Sequence, residues 1–318
     1  MPSTSIDPVG PVVSGLSGLS DEHALVLSGY SNEGWGGLYV VHGDGRVVCV
    51  DERPSSGLYF DDRAGQLWRA LRDPVDPDTA VELICHTGGG QHRLPLPGVK
   101  DPHDVNIDGD AVVVVSTVTN ELVWVGRNGT LLRRWRASVD HADAWHLNGL
   151  VWHGRDLAVS CLCQRDGSVT WHDEPIRAEG SVFVVATGQP LVTGLDFPHS
   201  PRFAGGQWLV CNSLTGELLV FDGSEIPASD PVLRVVLDGY PRGMALHGPV
   251  LFVGESATRG GALAADSQVR RTGFAAVAQV STVTWQVEAR VELPVPELYD
   301  VVALPREFAQ RLCRPGRF

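Results

Sequence analysis

Three histidines of the sequence precede short apolar runs and could together hold a metal ion. His103, His146 and His199 are separated by 43 and 53 residues. Neutral imidazoles that converge from separate rigid elements are suitable ligands for Zn, Fe, Cu or Mn. The pattern predicts a divalent transition metal at these three residues and leaves its identity open. The alternative is that the histidines cap backbone groups of neighbouring strands.

Two glutamates could act as a catalytic base beside such a metal. Glu297 follows a proline, as His103 and His199 do, and Glu255 ends the apolar run that begins at Val250. A carboxylate next to a metal can supply a further ligand or take a proton from bound water. Glu255 and Glu297 are therefore the predicted catalytic residues.

Two arginines indicate an anionic substrate. Arg242 also follows a proline, and Arg202 lies three residues after His199. A guanidinium group pairs bidentately with carboxylate, phosphate or sulfate, although both arginines could instead form structural ion pairs. Asn148 and Tyr299, in the same segments, are further predicted substrate contacts. The predicted partner is a small anionic molecule.

These residues belong to a repeat whose period indicates the fold. Five segments begin with a polar residue, four of them directly after a proline, and continue into an apolar strand. They are Pro102-His103-Asp104-Val105, Trp145-His146-Leu147-Asn148, Pro198-His199-Ser200-Pro201, Pro241-Arg242-Gly243-Met244 and Pro296-Glu297-Leu298-Tyr299. A weaker start at Ser56-Gly57-Leu58-Tyr59 makes six, with steps of 43 to 55 residues. A β-propeller blade has roughly 40 to 50 residues, so the repeat predicts six blades.

The two ends of the sequence complete the sixth blade. Each step contains four short strands separated by Gly, Asn or Asp turns. After Glu297 one strand remains, Leu298–Leu304, whereas the N-terminal part supplies Ala24–Ser28, Leu38–Val41 and Arg46–Asp51. We therefore predict an all-β, six-bladed β-propeller with four strands per blade, closed by pairing of the C-terminal strand with the N-terminal strands.

The sequence predicts one domain with one functional site. The propeller spans residues 1–318, with 1–20 as a loosely ordered arm. The absence of a Pro/Ser-rich linker disfavours the alternatives, a sandwich or two separate β domains. The inner strands of a propeller begin at one end of its channel, which is where the site is expected. Insertions at Leu162–Gly180 and Ala257–Phe274 are long enough to act as lids over it.

Composition excludes several classes of partner. The net charge of −13 and pI near 5.2 disfavour nucleic acids and anionic membranes, which are bound through basic patches. No run reaches the roughly 18 apolar residues of a membrane span. The segment Met1–Gly10 has no basic residue ahead of an apolar stretch, so a cytoplasmic location is predicted. The six scattered cysteines are expected to be free thiols.

Several of these motifs resemble those of a known family. The runs His146-Leu147-Asn148-Gly149, Pro198-His199-Ser200-Pro201-Arg202 and Glu297-Leu298-Tyr299-Asp300-Val301 resemble a bacterial family of unknown function that is predicted to form propellers. The resemblance covers roughly residues 100 to 305 and implies a shared site without naming a reaction. More distantly, the chain is similar to gluconolactonase and paraoxonase-like hydrolases. Those hold calcium or another divalent ion with Glu, Asn and Asp, where this chain offers His.

The motifs favour a metal-dependent enzyme of the hydrolase, lyase or isomerase type, acting on a small anionic metabolite at the mouth of the channel. Two alternatives remain open. The same histidines could hold non-haem iron or copper in an oxidoreductase. A non-catalytic propeller that binds a ligand or a protein is the third hypothesis.

Overall fold

Six sheets form a six-bladed β-propeller, each with four antiparallel strands, and one sheet gains a fifth, parallel strand from the N-terminal arm. The computed structural model describes residues 15–31, 36–72, 81–138, 143–165, 177–257, 269–270 and 273–314, together with the backbone of Thr4–Ile6. The predicted fold class is confirmed. Among the described residues, no helix has the length and apolar character needed to cross a membrane.

The blades are numbered from the one that closes the ring, and each is given from its inner strand outward. Blade 1 contains β25 (Glu297–Pro305), β2 (His23–Tyr30), β3 (Gly36–Val41) and β4 (Val47–Asp51), and blade 2 contains β5 (Ser55–Asp61), β6 (Gln66–Leu71), β7 (Glu82–Thr87) and β8 (Gly90–Pro95). Blade 3 contains β9 (Pro102–Asp108), β10 (Ala111–Ser116), β11 (Glu121–Gly126) and β12 (Leu131–Arg136), and blade 4 contains β13 (Leu147–His153), β14 (Asp156–Cys161), β15 (Gly180–Val184) and β16 (Pro190–Leu195). Blade 5 contains β17 (Pro198–Ala204), β18 (Gln207–Asn212), β19 (Glu217–Asp222) and β20 (Leu233–Val236), and blade 6 contains β21 (Tyr240–His247), β22 (Val250–Ser256), β23 (Ala276–Ser281) and β24 (Val287–Glu292).

Closure occurs in blade 1, where the C-terminal strand pairs with the first N-terminal strand of the blade. β25 runs antiparallel to β2, with Val301 opposite Leu27 in the register. A helix, α1 (Arg306–Leu312), follows directly and buries Phe308 and Leu312 against blades 1 and 2. The predicted closure is therefore confirmed.

Part of the N-terminal arm is attached to the ring. The short strand β1 (Thr4–Ile6) extends blade 5 by pairing in parallel with β20. Leu16 and Leu19 are buried in a cluster formed by blades 1 and 6. Arm residues 1–3 and 7–14 lie outside the described residues.

The hydrophobic core is divided among the faces between neighbouring blades. One cluster joins Leu209 and Leu218 of blade 5 to Met244 and Leu251 of blade 6. Strands such as β10, whose sequence is Ala followed by four valines and Ser, are buried along their whole length. β-branched residues suit such strands because they pack well on a pleated surface. Blade packing therefore holds the inner strands in fixed positions around the channel.

Polar side chains tie alternate pairs of inner strands together. The Asp300 carboxylate accepts a hydrogen bond from the Leu58 backbone N–H at 3.0 Å, which links blade 1 to blade 2. The Asp104 carboxylate accepts one from the Leu150 N–H at 2.6 Å, which links blades 3 and 4. The Gly243 N–H donates to Ser200 Oγ at 2.8 Å, which links blades 5 and 6.

The other three pairs of inner strands approach closely at glycines. A Cβ at Gly57 would lie 2.4 Å from the Asp104 Cα, and one at Gly243 would lie 2.6 Å from the Asp300 Cα. Gly149 meets Ser200 in the same way, with a Cβ 2.7 Å from its backbone nitrogen. These glycines let the inner strands of blades 2, 4 and 6 pack against the backbone of the next blade.

Candidate functional site at the channel mouth

The strand register shows which residues share the channel mouth. In blade 3, the pairing of the inner strand with the second strand shifts at a bulge, and Pro102, one position before His103, holds the pairing on the N-terminal side of that bulge. In blade 4 the equivalent pairing involves Leu147, so Asn148 is the counterpart of His103. His146 lies ahead of its strand with a left-handed backbone, φ 48°. The sequence repeat aligned His146 with His103 because both precede apolar residues, and the register corrects that alignment by two positions.

The same register moves the mouth position by two residues in blade 1 and by one residue in blade 2. Leu298 and Ser55 hold the pairing that Pro102 holds in blade 3, so Tyr299 and Ser56 are the counterparts of His103. The repeat had placed Glu297 and Gly57 in the ring, two residues before Tyr299 and one residue after Ser56. Asn148 and Tyr299 are thus at the mouth, and their role as substrate contacts stays a prediction.

Two of the three histidines are in direct contact. The rings of His103 and His146 have centroids 5.2 Å apart in an edge-to-face arrangement. His146 Nδ1 lies 2.7 Å from the Asp143 carboxylate. His103 Nδ1 lies 3.2 Å from the Asp101 backbone carbonyl. In both rings a fixed oxygen holds Nδ1 and so sets the orientation of the imidazole.

His199 is anchored in the same manner. Its Nδ1 lies 2.9 Å from the Phe197 carbonyl and 2.8 Å from Ser213 Oγ. Together with His103, Asn148 and Tyr299 it lines a cavity of about 10 Å³, which has room for a single water molecule. The three predicted histidines therefore lie at one end of the channel.

Tyr299 contacts His103 and two arginines. Its ring centroid lies 5.4 Å from that of His103. The guanidinium carbon of Arg242 lies 4.6 Å from the ring centroid, and that of Arg72 lies 5.1 Å away. The guanidinium of Arg72 also donates to the Tyr299 hydroxyl and lies 2.6 Å from the Asp101 carboxylate. The mouth therefore combines two cations with a tyrosine and a histidine.

Sequence reasoning missed Arg72, Asp101 and Asp143. Arg72 follows the second strand of blade 2, the blade whose repeat is weakest, and no spacing signal marks it. Asp101 precedes the strand start that the repeat detects, and Asp143 lies in a turn. A search for acidic residues two or three positions before each predicted histidine would have found both.

His103 is held in its neutral form. Its pKa lies well below the ordinary value because the ring is buried, and because Arg72, His146 and Arg242 oppose a further positive charge. A neutral imidazole can accept a proton or bind a metal. His103 therefore adds no positive charge to that of the two arginines.

The two predicted catalytic glutamates are engaged in ion pairs. Glu255 is fully buried, lies 3.0 Å from the Arg290 Nε and accepts a hydrogen bond from the Asp238 N–H. This arrangement ties blade 6 together beside the mouth. Glu297 lies 3.8 Å from the guanidinium of Arg242, which packs against the Tyr299 ring.

Arg202 lies deeper in the channel than the other predicted residues. Its guanidinium is 3.7 Å from the Asp300 carboxylate. Asp104 and Asp300 are both buried there, and burial is the first cause that raises the pKa of each. For Asp104, repulsion by Asp300 adds to this and raises the pKa to about 8. Below Arg202 the channel widens to a cavity of about 470 Å³, bounded by the distal ends of the inner strands.

Two features of the predicted site stay open. Within the described part of the chain, no group of three or more His, Cys, Asp or Glu side chains is close enough to hold a metal ion. Metal binding stays a prediction. The predicted lids fall largely on residues 166–176, 258–268 and 271–272, which lie outside the described residues.

Comparison with protein families gives a match over most of the chain. Residues 94–311 match the model of DUF4915, a domain of unknown function. The chain belongs to this family. The matched DUF4915 region begins in the last strand of blade 2 and ends within α1, so it includes His103, Asn148, Arg242 and Tyr299. No curated protein matches the chain.

Solved structures show the same fold at low identity. A chain of a nidogen/laminin complex is 12% identical with a TM-score of 0.62, covering 88% of this chain and 98% of that chain. A Bacteroides caccae protein of unknown function is 13% identical with a TM-score of 0.58, covering 89% and 99%. A putative 6-phosphogluconolactonase from Bacteroides fragilis is 13% identical with a TM-score of 0.54, covering 89% and 98%. These likenesses show the fold alone.

Proposed function

We propose that the protein is an enzyme that acts on a small anionic metabolite at the channel mouth. The observation that carries the proposal is the contact among His103, His146, Tyr299 and Arg242, which come from four different blades. Burying two imidazoles and a guanidinium is costly, because each loses hydration. The hydrophobic faces between blades already hold the ring together, so this cluster is better explained by function.

His146 is the proposed proton-transfer group. The Asp143 carboxylate at its Nδ1 favours the tautomer with the proton on Nδ1, which makes Nε2 the basic nitrogen. A base oriented in this way can take a proton from water or from a carbon acid of the substrate. The reaction types that follow are hydrolysis, elimination by a lyase, and isomerisation.

Arg242 is the proposed anchor for the anionic group of the substrate. It lies against the Tyr299 ring beside the histidines, where a carboxylate or phosphate could reach both the guanidinium and His146. Asn148 supplies a further contact. Its Nδ2 donates to the Pro198 carbonyl at 3.1 Å, and its buried Oδ1 accepts no hydrogen bond within the described residues. That oxygen can receive a substrate hydroxyl.

A divalent transition metal at His103, His146 and His199 is a second candidate for the catalytic group. The supporting observation is that all three rings use Nδ1 for an oxygen partner, the arrangement by which proteins orient metal-ligating histidines. Two imidazoles bound to one tetrahedral ion through Nε2 would have centroids roughly 5 Å apart. His103 and His146 already have this separation, and His199 would have to approach them.

Turnover of small anionic metabolites tests the enzyme proposal. Purified protein is incubated with sugar phosphates, hydroxy acids and lactones, and products are followed by NMR. His146→Gln should lower kcat by about a hundredfold or more, and Arg242→Met should mainly raise KM. His247→Gln, at the opposite end of blade 6, is the control and should leave both constants unchanged. Ligand binding without turnover would support the non-catalytic alternative.

Elemental analysis distinguishes an enzyme with a metal at the three histidines from an enzyme that uses His146 without a metal. Protein prepared without a histidine tag is compared with His103→Ala and His199→Ala. Stoichiometric metal that both substitutions remove would support the three-histidine site, and iron or copper would favour the oxidoreductase. The acidic net charge supports a small molecule rather than a nucleic acid or an anionic membrane as partner. The cytoplasmic location stays a prediction.

A further inference from the structure

The cavity below Arg202 opens at the end of the channel opposite the mouth. Its volume of about 470 Å³ falls in the range of small-molecule sites, roughly 300 to 1,000 Å³. The Asp104, Asp300 and Arg202 side chains lie across the channel between this cavity and the mouth. A ligand bound below would therefore be separate from the proposed active site.

Arg202 offers hydrogen-bond donors to this cavity. One terminal nitrogen donates to the Pro201 carbonyl at 3.0 Å, and the other lies 3.7 Å from the Asp300 carboxylate, beyond hydrogen-bond distance. The side chain is 30% exposed although it lies inside the channel. A guanidinium group has five N–H donors in a planar fork that matches a carboxylate. The Arg202 side chain lines the cavity, where such a fork could reach a bound anion.

Apolar residues surround Arg202 on the inner strands of the other blades. By strand register, Leu58, Leu150 and Met244 occupy the position that Arg202 occupies in blade 5. All three line the cavity. At this position the Arg202 guanidinium loses part of its hydration among apolar side chains. A bound anion would offset that cost in free energy.

We propose that this cavity binds a small organic carboxylate, held by Arg202 through its carboxylate group and by Leu58, Leu150 and Met244 through its apolar part. A monoanion fits better than a phosphate dianion, because the Asp300 carboxylate beside Arg202 repels a second negative charge. The site is distinct from the proposed active site and does not depend on it.

Calorimetry with benzoate as the probe tests the proposal on the full-length protein. Benzoate should bind at one site, and neutral benzamide should bind at least about tenfold more weakly, because it cannot form the charged pair. Arg202→Met, which matches the residue at this position in blade 6, should weaken benzoate by at least about tenfold. Arg242→Met alters the mouth and should leave benzoate affinity unchanged.

Three results would overturn the proposal: no benzoate binding, equal affinity for benzamide, or loss of binding in Arg242→Met with retention in Arg202→Met. Circular dichroism establishes whether each variant folds. If Arg202→Met does not fold, Arg202→Lys retains the charge beside Asp104 and Asp300 but lacks the planar fork. That variant should bind benzoate measurably more weakly, and unchanged affinity would refute the proposal.

Discussion

The buried Asp104 carboxylate both links two blades by hydrogen bonds and interacts electrostatically with a second aspartate. Its two oxygens accept the Val105 and Leu150 N–H groups, so it links blades 3 and 4. It also lies close enough to Asp300 for repulsion between them to raise its pKa. Two aspartates and one arginine thus share a small volume of low dielectric in the middle of the channel. The cluster should make stability depend on pH.

The predicted dependence has a definite sign. The Asp104 pKa is about 8 in the folded protein against 3.8 for an unperturbed aspartate, so between these values the folded state holds a proton that the unfolded state has lost. The contribution of Asp104 to the free energy of unfolding therefore falls as pH rises from about 4 to 8. Asp104→Asn should give a shallower change between pH 5 and pH 8 in urea unfolding. An unchanged slope would contradict the assignment.

Residue types and spacing predicted part of the site and missed the groups that orient it. His103, Asn148, Arg242 and Tyr299 were predicted from the repeat, and the structure brings them to one end of the channel. The partners of the histidines come from irregular turns, where no periodicity exists to detect them. The ion pair of Glu255 with Arg290 could not be predicted either, because it depends on the register between β22 and its neighbours.

At some glycines of the inner strands another residue would be destabilising, because the backbone is left-handed there or because the next blade is too close for a side chain. Gly243 has φ 71°, and a Cβ there would lie 2.6 Å from the backbone of Asp300. Gly248, at the next turn of the same blade, has φ 57° with no atom within 4 Å of such a Cβ. Both glycines have a left-handed backbone, but only Gly248 has room for a side chain.

Gly243→Ala and Gly248→Ala therefore form a matched pair. Both substitutions incur the left-handed backbone penalty of about 1 kcal/mol. Only Gly243→Ala also forces blades 6 and 1 apart, which should cost about 1 to 3 kcal/mol more. The measurement is the free energy of unfolding from urea titration. Equal losses in the two variants would mean that the close approach is not important for stability.

Strand bounds were predictable because turn residues mark them. In blade 1 the expected strands agree with β25, β2, β3 and β4 within two residues at each end. The error at β13 arose because the polar residue before the strand was aligned instead of the strand itself. Leu147 begins β13, whereas β9 and β17 begin at prolines. A residue in a left-handed turn can resemble a strand start in sequence and still lie outside the strand.

Ring closure determines the stability of the whole molecule. Removal of residues 297–318 would take the inner strand and α1 from blade 1 and expose the core against β2, including Leu25 and Leu27. The truncated chain should unfold well below the full-length protein, or fail to fold, because the seam opens to water. Thermal unfolding followed by circular dichroism is the measurement. An unchanged Tm would contradict the observed pairing of the termini.

The depth of Arg202 in the channel and the cavity beneath it depend on the complete ring, and the sequence does not reveal them. The repeat predicts six inner strands and one mouth, but the depth of Arg202 and the cavity beneath it follow from packing of all six blades. Arg202 was expected beside the mouth because it follows His199 closely in the sequence. In the register of β17, His199 lies opposite Cys211 and Arg202 lies opposite Leu209, so Arg202 is farther along the channel and lines the cavity below.

The claim that the channel mouth binds and transforms a small anion is tested most directly by nitrogen NMR of the histidine rings. Ring nitrogens of His103 and His146 are recorded while sugar phosphates, hydroxy acids and lactones are added one at a time. At least one compound should shift the signals of both rings in the wild-type protein, and Arg242→Met should abolish that shift. If no compound moves these signals, or if the shift persists without Arg242, the mouth is not the site of an anionic substrate.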